Sequence, residues 1–335
     1  MELHDVWFVL IAVLWTGYFF LEGFDFGVGI LHQAARPQPH REAGADQHDR
    51  PGLQDGNEVW LLTAGGATFA AFPEWYATLF SGFYLALLII LVCLIVRGVA
   101  FEYRAKRPEE NWQRNWETAI FWTSLLPAFL WGVAFGNIVR GVKIDKNFEY
   151  AGNFWDLLNP YAILGGLVTL TLFTFHGAVF TALKTVGDIR VRARRLALQV
   201  GLVTALLALA FLIWTQVDSG DGKSLAALIV AVVALVAALG AIQVGREGWS
   251  FAFSGVTIIA AVAMLFLSLF PNVMPSSLNA DWSLTVTNAS SSPYTLRIMT
   301  WCAGIATPIV LLYQGWTYWV FRKRIGTQHI AEAAH

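Results

Sequence analysis

An all-α polytopic membrane protein is the fold class that this sequence predicts, on three observations. Of its 335 residues, 56% are hydrophobic and only 13% charged, with a mean hydropathy of +0.55, whereas a soluble domain is about a quarter charged. The apolar residues gather into runs of about twenty, the length a helix needs to cross a hydrocarbon core of about 30 Å. The 22 Lys and Arg fall mostly between those runs, so the chain offers no basic patch to nucleic acid.

Nine spans follow in order. The first, near Val6 to Ile30, has neither a basic leader nor a small-residue cleavage pattern, which predicts a retained helix and not a signal peptide. The second, near Glu58 to Phe72, stops at the turn Phe72, Pro73, Glu74. Leu79 to Ala100 is the third, and Thr118 to Ile138 the fourth. A polar stretch from Gly141 to Pro160 separates these from Tyr161 to Leu183, Leu196 to Gln216, Leu225 to Val244 and Phe251 to Phe270. A second polar stretch, Pro271 to Pro293, precedes the last span, Leu296 to Phe321. All belong to a single integral membrane domain over 1–335, with helices 1–4 at about 6–138, helices 5–8 at about 161–270 and helix 9 at about 296–321.

An odd number of spans puts the termini on opposite sides. With the N-terminus outside and the C-terminus cytoplasmic, all but five of the 22 basic residues face the cytoplasm, the exceptions being Arg140, Lys143, Lys146, Lys223 and Arg297. The positive-inside rule supports that orientation. Trp7, Trp112, Trp116, Trp249, Trp316 and Trp319 lie near proposed helix ends, as an interfacial aromatic belt requires. Cys93 and Cys302 both fall in apolar runs and neither belongs to a metal-spaced cluster, so neither a structural disulfide nor a zinc site is expected.

Inside hydrocarbon an ionisable side chain costs roughly 2.5–3.5 kcal/mol on insertion scales, so each one needs a partner, water or a function. Glu22 and Asp25 stand three residues apart and share one face of the first helix, near its cytoplasmic end. Asp55 and Glu58 repeat the spacing at the start of the second. If the two helices are neighbours, four carboxyl groups converge near one cytoplasmic mouth, and repulsion and partial desolvation equip them to hold and pass a proton near neutral pH. The alternative is that they cap helices or pair with Arg97 or Arg104; Asp55 in particular suits an N-cap.

Gly23 and Gly27 form a GxxxG extended by Gly29, and Ala64, Gly65, Gly66 and Ala67 form a small-residue stretch on the second helix. Both predict close helix packing, with the first three helices as a tight unit. His176 sits mid-span in the fifth helix as a hydrogen-bonded interior histidine, a proton relay or a haem ligand. The other histidines lie in loops or at the termini, so a second axial ligand at the same depth is lacking.

Four blocks, GYFFLEGFDFGVG at Gly17 to Gly29, DGNEVWLLTAGG at Asp55 to Gly66, FPEWYATLFSGFY at Phe72 to Tyr84 and RGVAFEYR at Arg97 to Arg104, resemble subunit II of the cytochrome bd quinol oxidases. The likeness continues through FHGAVFTALKT at Phe175 to Thr185 and NASSSPYTL at Asn288 to Leu296, and so covers nearly the whole chain. It implies two four-helix bundles plus one peripheral helix in a bacterial cytoplasmic (inner) membrane. The implied partner is a similarly built subunit I, holding two haems b and one haem d, which oxidises quinol and reduces oxygen to water. This chain would then ligate no haem and no metal, support its partner and offer a proton route from the cytoplasm. Some members hold a structural quinone; a small single-helix accessory subunit, quinol and lipid are further expected partners. Asp25 and Asp55 match the family's proposed proton-route positions, with Glu58 and Glu22 assisting.

One stretch departs from that pattern. His32 to Gln54 contains a single large aliphatic residue, Leu53, where the resemblance leads one to expect a partly apolar segment ending in Gly-Pro-x-Trp. Its composition is that of a local reading-frame shift in GC-rich DNA, or of a divergent hydrophilic loop. Two rival functions suit a polytopic chain with buried acids. A proton-coupled secondary transporter would place them in broken helices of two inverted halves, which this sequence lacks, and a cytochrome binding its own haem is weakened by the histidine positions.

Overall fold

The computed structural model describes residues 2–34 and 51–320, with side chains for 2–31, 57–317, 319 and 320. The segment from His32 to Gln54 that departs from the family pattern, and the end of the ninth span at Phe321, lie outside the fully described residues. Ten α-helices carry the fold: α1 (Leu3–Ala34), α2 (Pro51–Ala71), α3 (Pro73–Gly82), α4 (Tyr84–Arg104), α5 (Glu110–Arg140), α6 (Pro160–Lys184), α7 (Asp188–Ser219), α8 (Gly222–Gln243), α9 (Glu247–Leu269) and α10 (Pro293–Val320). Among the described residues, eight helices are long and apolar enough to cross a membrane: α1 and α4 to α10.

The expected third span divides. A short α3 begins at Pro73, which suits a first helical turn because it has no N–H to leave unpaired, and the helix breaks at Phe83 before α4. The break sits where the chain passes under the Tyr150 ring: a Cβ on Gly82 would come within 2.7 Å of it. Other helices outrun their apolar cores. α5 starts at Glu110 and α7 at Asp188, because polar residues at a membrane surface continue a helix into water without losing backbone hydrogen bonds.

α1 is the central post, packed against α2, α5, α6, α9 and α10, while α4 to α9 pack largely on their neighbours in sequence. The α1–α6 contact brings two backbones together. A Cβ on Gly27 would collide with the Phe173 carbonyl and the Gly177 backbone, and one on Gly177 would meet the Gly27 backbone in return. Half of the expected glycine packing is therefore present. On α2, by contrast, a Cβ added to Gly65 or Gly66 would meet nothing within 4 Å, and both line an open groove of about 490 Å³ between α2, α3, α4 and α5. Beside α1 an aromatic layer fills the middle of the molecule. Trp15 meets Trp131 edge-on at 5.0 Å, Phe19 meets Phe135 likewise at 5.0 Å, and the Trp131 indole donates to the Tyr18 hydroxyl at 3.1 Å.

The two long polar stretches join at one face. β1 (Asn272–Met274) pairs antiparallel with β2 (Leu284–Thr285), and the segment is bonded to the other stretch, Val142 N–H to Pro275 C=O at 3.0 Å and Ser277 N–H to Val142 C=O at 2.8 Å. Asn137, near the end of α5, donates to the Leu157 carbonyl at 2.7 Å. It accepts from Asn159 at 2.8 Å, and Asn159 in turn caps α6 by accepting from the Ala162 N–H at 3.0 Å. Asn159→Ala removes both bonds. N-cap loss costs about 1 kcal/mol, and the expected result is a lower thermal midpoint of the purified protein with its helix content unchanged.

Candidate functional site

α1 delivers its two acids to different neighbours. Three residues advance a helix by about 300°, so Glu22 and Asp25 share a face only loosely, and packing separates them. Glu22 points at α4, where Arg97 reaches it at 2.7 Å with both side chains fully buried. The Arg97 guanidinium also lies over the Phe26 ring, 4.6 Å from its centroid, so the cation is held by an acid on one side and a π-face on the other. Asp25 points at α2 and accepts a hydrogen bond from the Asn57 side-chain amide at 2.5 Å. Asp25 is 7% exposed and Asn57 only 1%.

Glu58, beside Asn57 on α2, is half-buried. Asp55 lies on α2, but its side chain is outside the described residues. Arg104, the other expected partner of these acids, binds Glu117 of α5 instead, through Nη2 at 2.9 Å and Nε at 3.3 Å.

Two kinds of acid thus result. Glu22 faces a permanent cation in a fully buried pair, an arrangement that fixes its position. Asp25 faces a neutral amide, which can orient a carboxyl group without holding it in one protonation state. Sequence reading missed Asn57 and Glu117. Asn57 could have been found as the polar residue one position before Glu58, on the helix that must face the acids of α1. Glu117 could have been found as the acid next to Trp116 at the start of a span.

His176 is fully buried between α1, α6 and α9. Its Nδ1 shares a 2.7 Å hydrogen bond with the Ser254 hydroxyl, and its ring stacks on Phe251 at 4.5 Å and 8°. A ring closed on one side by a parallel phenyl and tied at Nδ1 fits the hydrogen-bonded interior histidine better than an axial ligand, which must present a nitrogen to an open plane. Among the described residues no group of three or more His, Cys, Asp or Glu side chains could hold a metal ion, and Cys93 and Cys302 are free thiols. A second apolar groove, of about 1000 Å³, runs between α1, α9 and α10. At its wall the Trp60 indole donates to Gln314 at 2.9 Å.

Comparison with known proteins gives one answer. The family model described as cytochrome bd terminal oxidase subunit II matches residues 3–321. The chain is 45% identical to cytochrome bd ubiquinol oxidase subunit 2 of Bacillus subtilis, covering 97% of each. It is 34% identical to cytochrome bd-I ubiquinol oxidase subunit 2 of Escherichia coli, covering 99% of this chain and 98% of that one. Among solved structures, a chain of the bd oxidase from Geobacillus thermodenitrificans superposes with a TM-score of 0.77 at 19% identity, over 96% of this chain and all of that one; at that identity the likeness speaks for the fold alone.

Proposed function

The chain belongs to the cytochrome bd terminal oxidase subunit II family, and from that premise we propose that it is the haem-free half of a quinol:oxygen oxidoreductase and carries protons from the cytoplasm to its partner. Membership makes it a multi-pass bacterial membrane protein and a subunit of a terminal quinol oxidase, and sets the transporter alternative aside. In the proposal α2 is the ninth crossing, the N-terminus is outside and the membrane is the cytoplasmic (inner) one. Subunit I holds two haems b and haem d.

Reducing oxygen to two waters consumes four protons. Drawing them from the cytoplasm, while quinol releases its own outside, stores charge separation without pumping. The single observation that supports a route through this chain is Asp25, a buried carboxyl group oriented by the neutral Asn57 amide. Asp25 passes the proton, Asp55 and Glu58 receive it at the mouth of α2, and Glu22, bound to Arg97, fixes the electrostatic frame in which they work. Its pairing makes Glu22 a positioning residue.

A structural quinone fits the groove between α1, α9 and α10, where Phe8, Val13 and Phe266 supply apolar wall and Trp60 and Gln314 the polar atoms. There it would fill space between helices. Lipid would fit the same walls. An accessory single-helix subunit would need an apolar face, and α10 offers one, with Trp301, Leu312 and Trp316 exposed.

Asp25→Asn keeps the size and the hydrogen-bonding partner of the side chain and removes the titrating proton. It is expected to slow oxygen reduction by about a hundredfold or more, the scale on which positioned proton transfer contributes, with haem absorption unchanged. Full quinol oxidase turnover would take Asp25 out of the route, and loss of the haem spectrum would reveal an assembly role instead.

A further inference from the structure

Among α5, α6, α7, α8 and α9 lies a cavity of about 180 Å³ that the proton route does not use. Its walls are aromatic and aliphatic, with Phe19, Phe173, Leu212, Leu235, Ile258 and Leu265 among them. Two wall residues carry hydroxyl groups, and each is already committed. Thr169 donates to the Ala128 carbonyl at 2.7 Å, and Thr257 donates to the Phe253 carbonyl at 3.0 Å. A buried water needs 2–4 polar partners, and an apolar cavity of about 150 Å³ lined by Leu, Ile and Phe stays dry and takes benzene or xenon. The present cavity is larger and equally apolar, so water is a poor occupant and a small apolar molecule a good one.

Its position says where that molecule comes from. Leu209 of α7 and Val236 of α8 line the cavity and are 42% and 61% exposed on the outer surface of two helices long and apolar enough to cross a membrane. The way in is therefore from hydrocarbon, in which dioxygen is more soluble than in water. The space itself is made by small side chains, Ala208 on α7 and Ala231 on α8, both buried; two leucines there would fill it.

We propose that this cavity binds one small apolar gas molecule, and that in the working complex the molecule is dioxygen, held beside the route by which membrane-dissolved oxygen reaches the oxidase. The identity of the gas rests on the function proposed above; the existence of the site does not.

The test uses the purified complex and xenon. Crystals pressurised with xenon are expected to show an anomalous peak between Leu212, Leu235 and Ile258. Ala208→Phe or, should that variant fail to assemble, Ala231→Leu is expected to abolish the peak. Leu206→Phe, on the lipid face of α7 at 73% exposure, is expected to keep it. An empty cavity under xenon, or one filled by the end of a lipid chain that xenon does not displace, overturns the site. Oxygen kinetics decide the gas: the cavity-filling variant is expected to raise the KM for dioxygen several-fold, and an unchanged KM with the xenon peak lost overturns the assignment of dioxygen. Absence of haem and of turnover in the parent preparation would instead count against the proposed function, and the xenon peak would still be read independently.

Discussion

Arg97→Met is expected to leave little assembled protein in the membrane. The guanidinium is fully buried against an equally buried Glu22 at 2.7 Å, and removing one partner of such a pair costs about 3–5 kcal/mol because it strands the other charge. Whole domains are stable by only about 5–15 kcal/mol, so the loss takes a large share of the total. Methionine keeps much of the aliphatic length and its contact with Phe26, and this isolates the charge from the packing. The measurement is the yield and thermal midpoint of detergent-purified complex. The companion variant Glu22→Met with Arg97→Met removes both charges and is expected to recover most of the lost stability, since a buried pair replaced by apolar side chains of similar volume is often neutral or better. A single variant as stable as the parent would show that the pair is hydrated and contributes little.

Gly27→Val is expected to be as damaging, by a different mechanism. The Cβ position at Gly27 is already occupied by backbone, the Phe173 carbonyl and the Gly177 Cα. Ordinary overpacking costs about 1–3 kcal/mol because side chains can turn aside; here a backbone must move. Separating α1 from α6 displaces Asp25, two residues before Gly27, and His176, next to Gly177, so turnover falls together with stability. Gly65→Ala provides the contrast. Nothing lies within 4 Å of its added methyl, and alanine favours a helix interior over glycine by about 1 kcal/mol, so a neutral or slightly stabilising effect is expected. If both variants behave alike in thermal unfolding, the α1–α6 contact is looser than described.

What could be read in the sequence follows from the solvent it is built for. Lipid makes every backbone group find its partner within its own helix, so apolar runs mark helices directly, and eight of the described helices are long and apolar enough to cross a membrane. Helix ends were harder, because Glu110 to Glu117 and Asp188 to Arg195 continue a helix in water with no change of hydropathy to mark it. The division of α3 from α4 was invisible, since it depends on Tyr150 passing over Gly82, a contact between segments far apart in the chain. The pairing of Val142 with Pro275 and Ser277 was hidden for the same reason.

At the site, the residue types were legible and their partners were not. Arg97 and Arg104 are two helical turns apart on one face of α4, and both could serve an acid on α1. Helix depth decides between them, giving Arg97 to Glu22 and Arg104 to Glu117. The glycines of α1 and α2 look alike as text, yet Gly27 meets a backbone while Gly65 faces a groove, because Gly65 lies on a different face of α2 from the buried Ala64 beside it.

The central place of α1 also bears on how the chain is made. A ribosome releases α1 before any of the helices that will surround it, so Glu22 enters the bilayer ahead of the cation that will neutralise it. At about 5–20 residues per second, α4 follows only after several seconds of translation. Through that interval the nascent first helix must either keep its glutamic acid protonated or stay within the insertion machinery, and membrane integration of this chain is thereby tied to the arrival of its fourth helix.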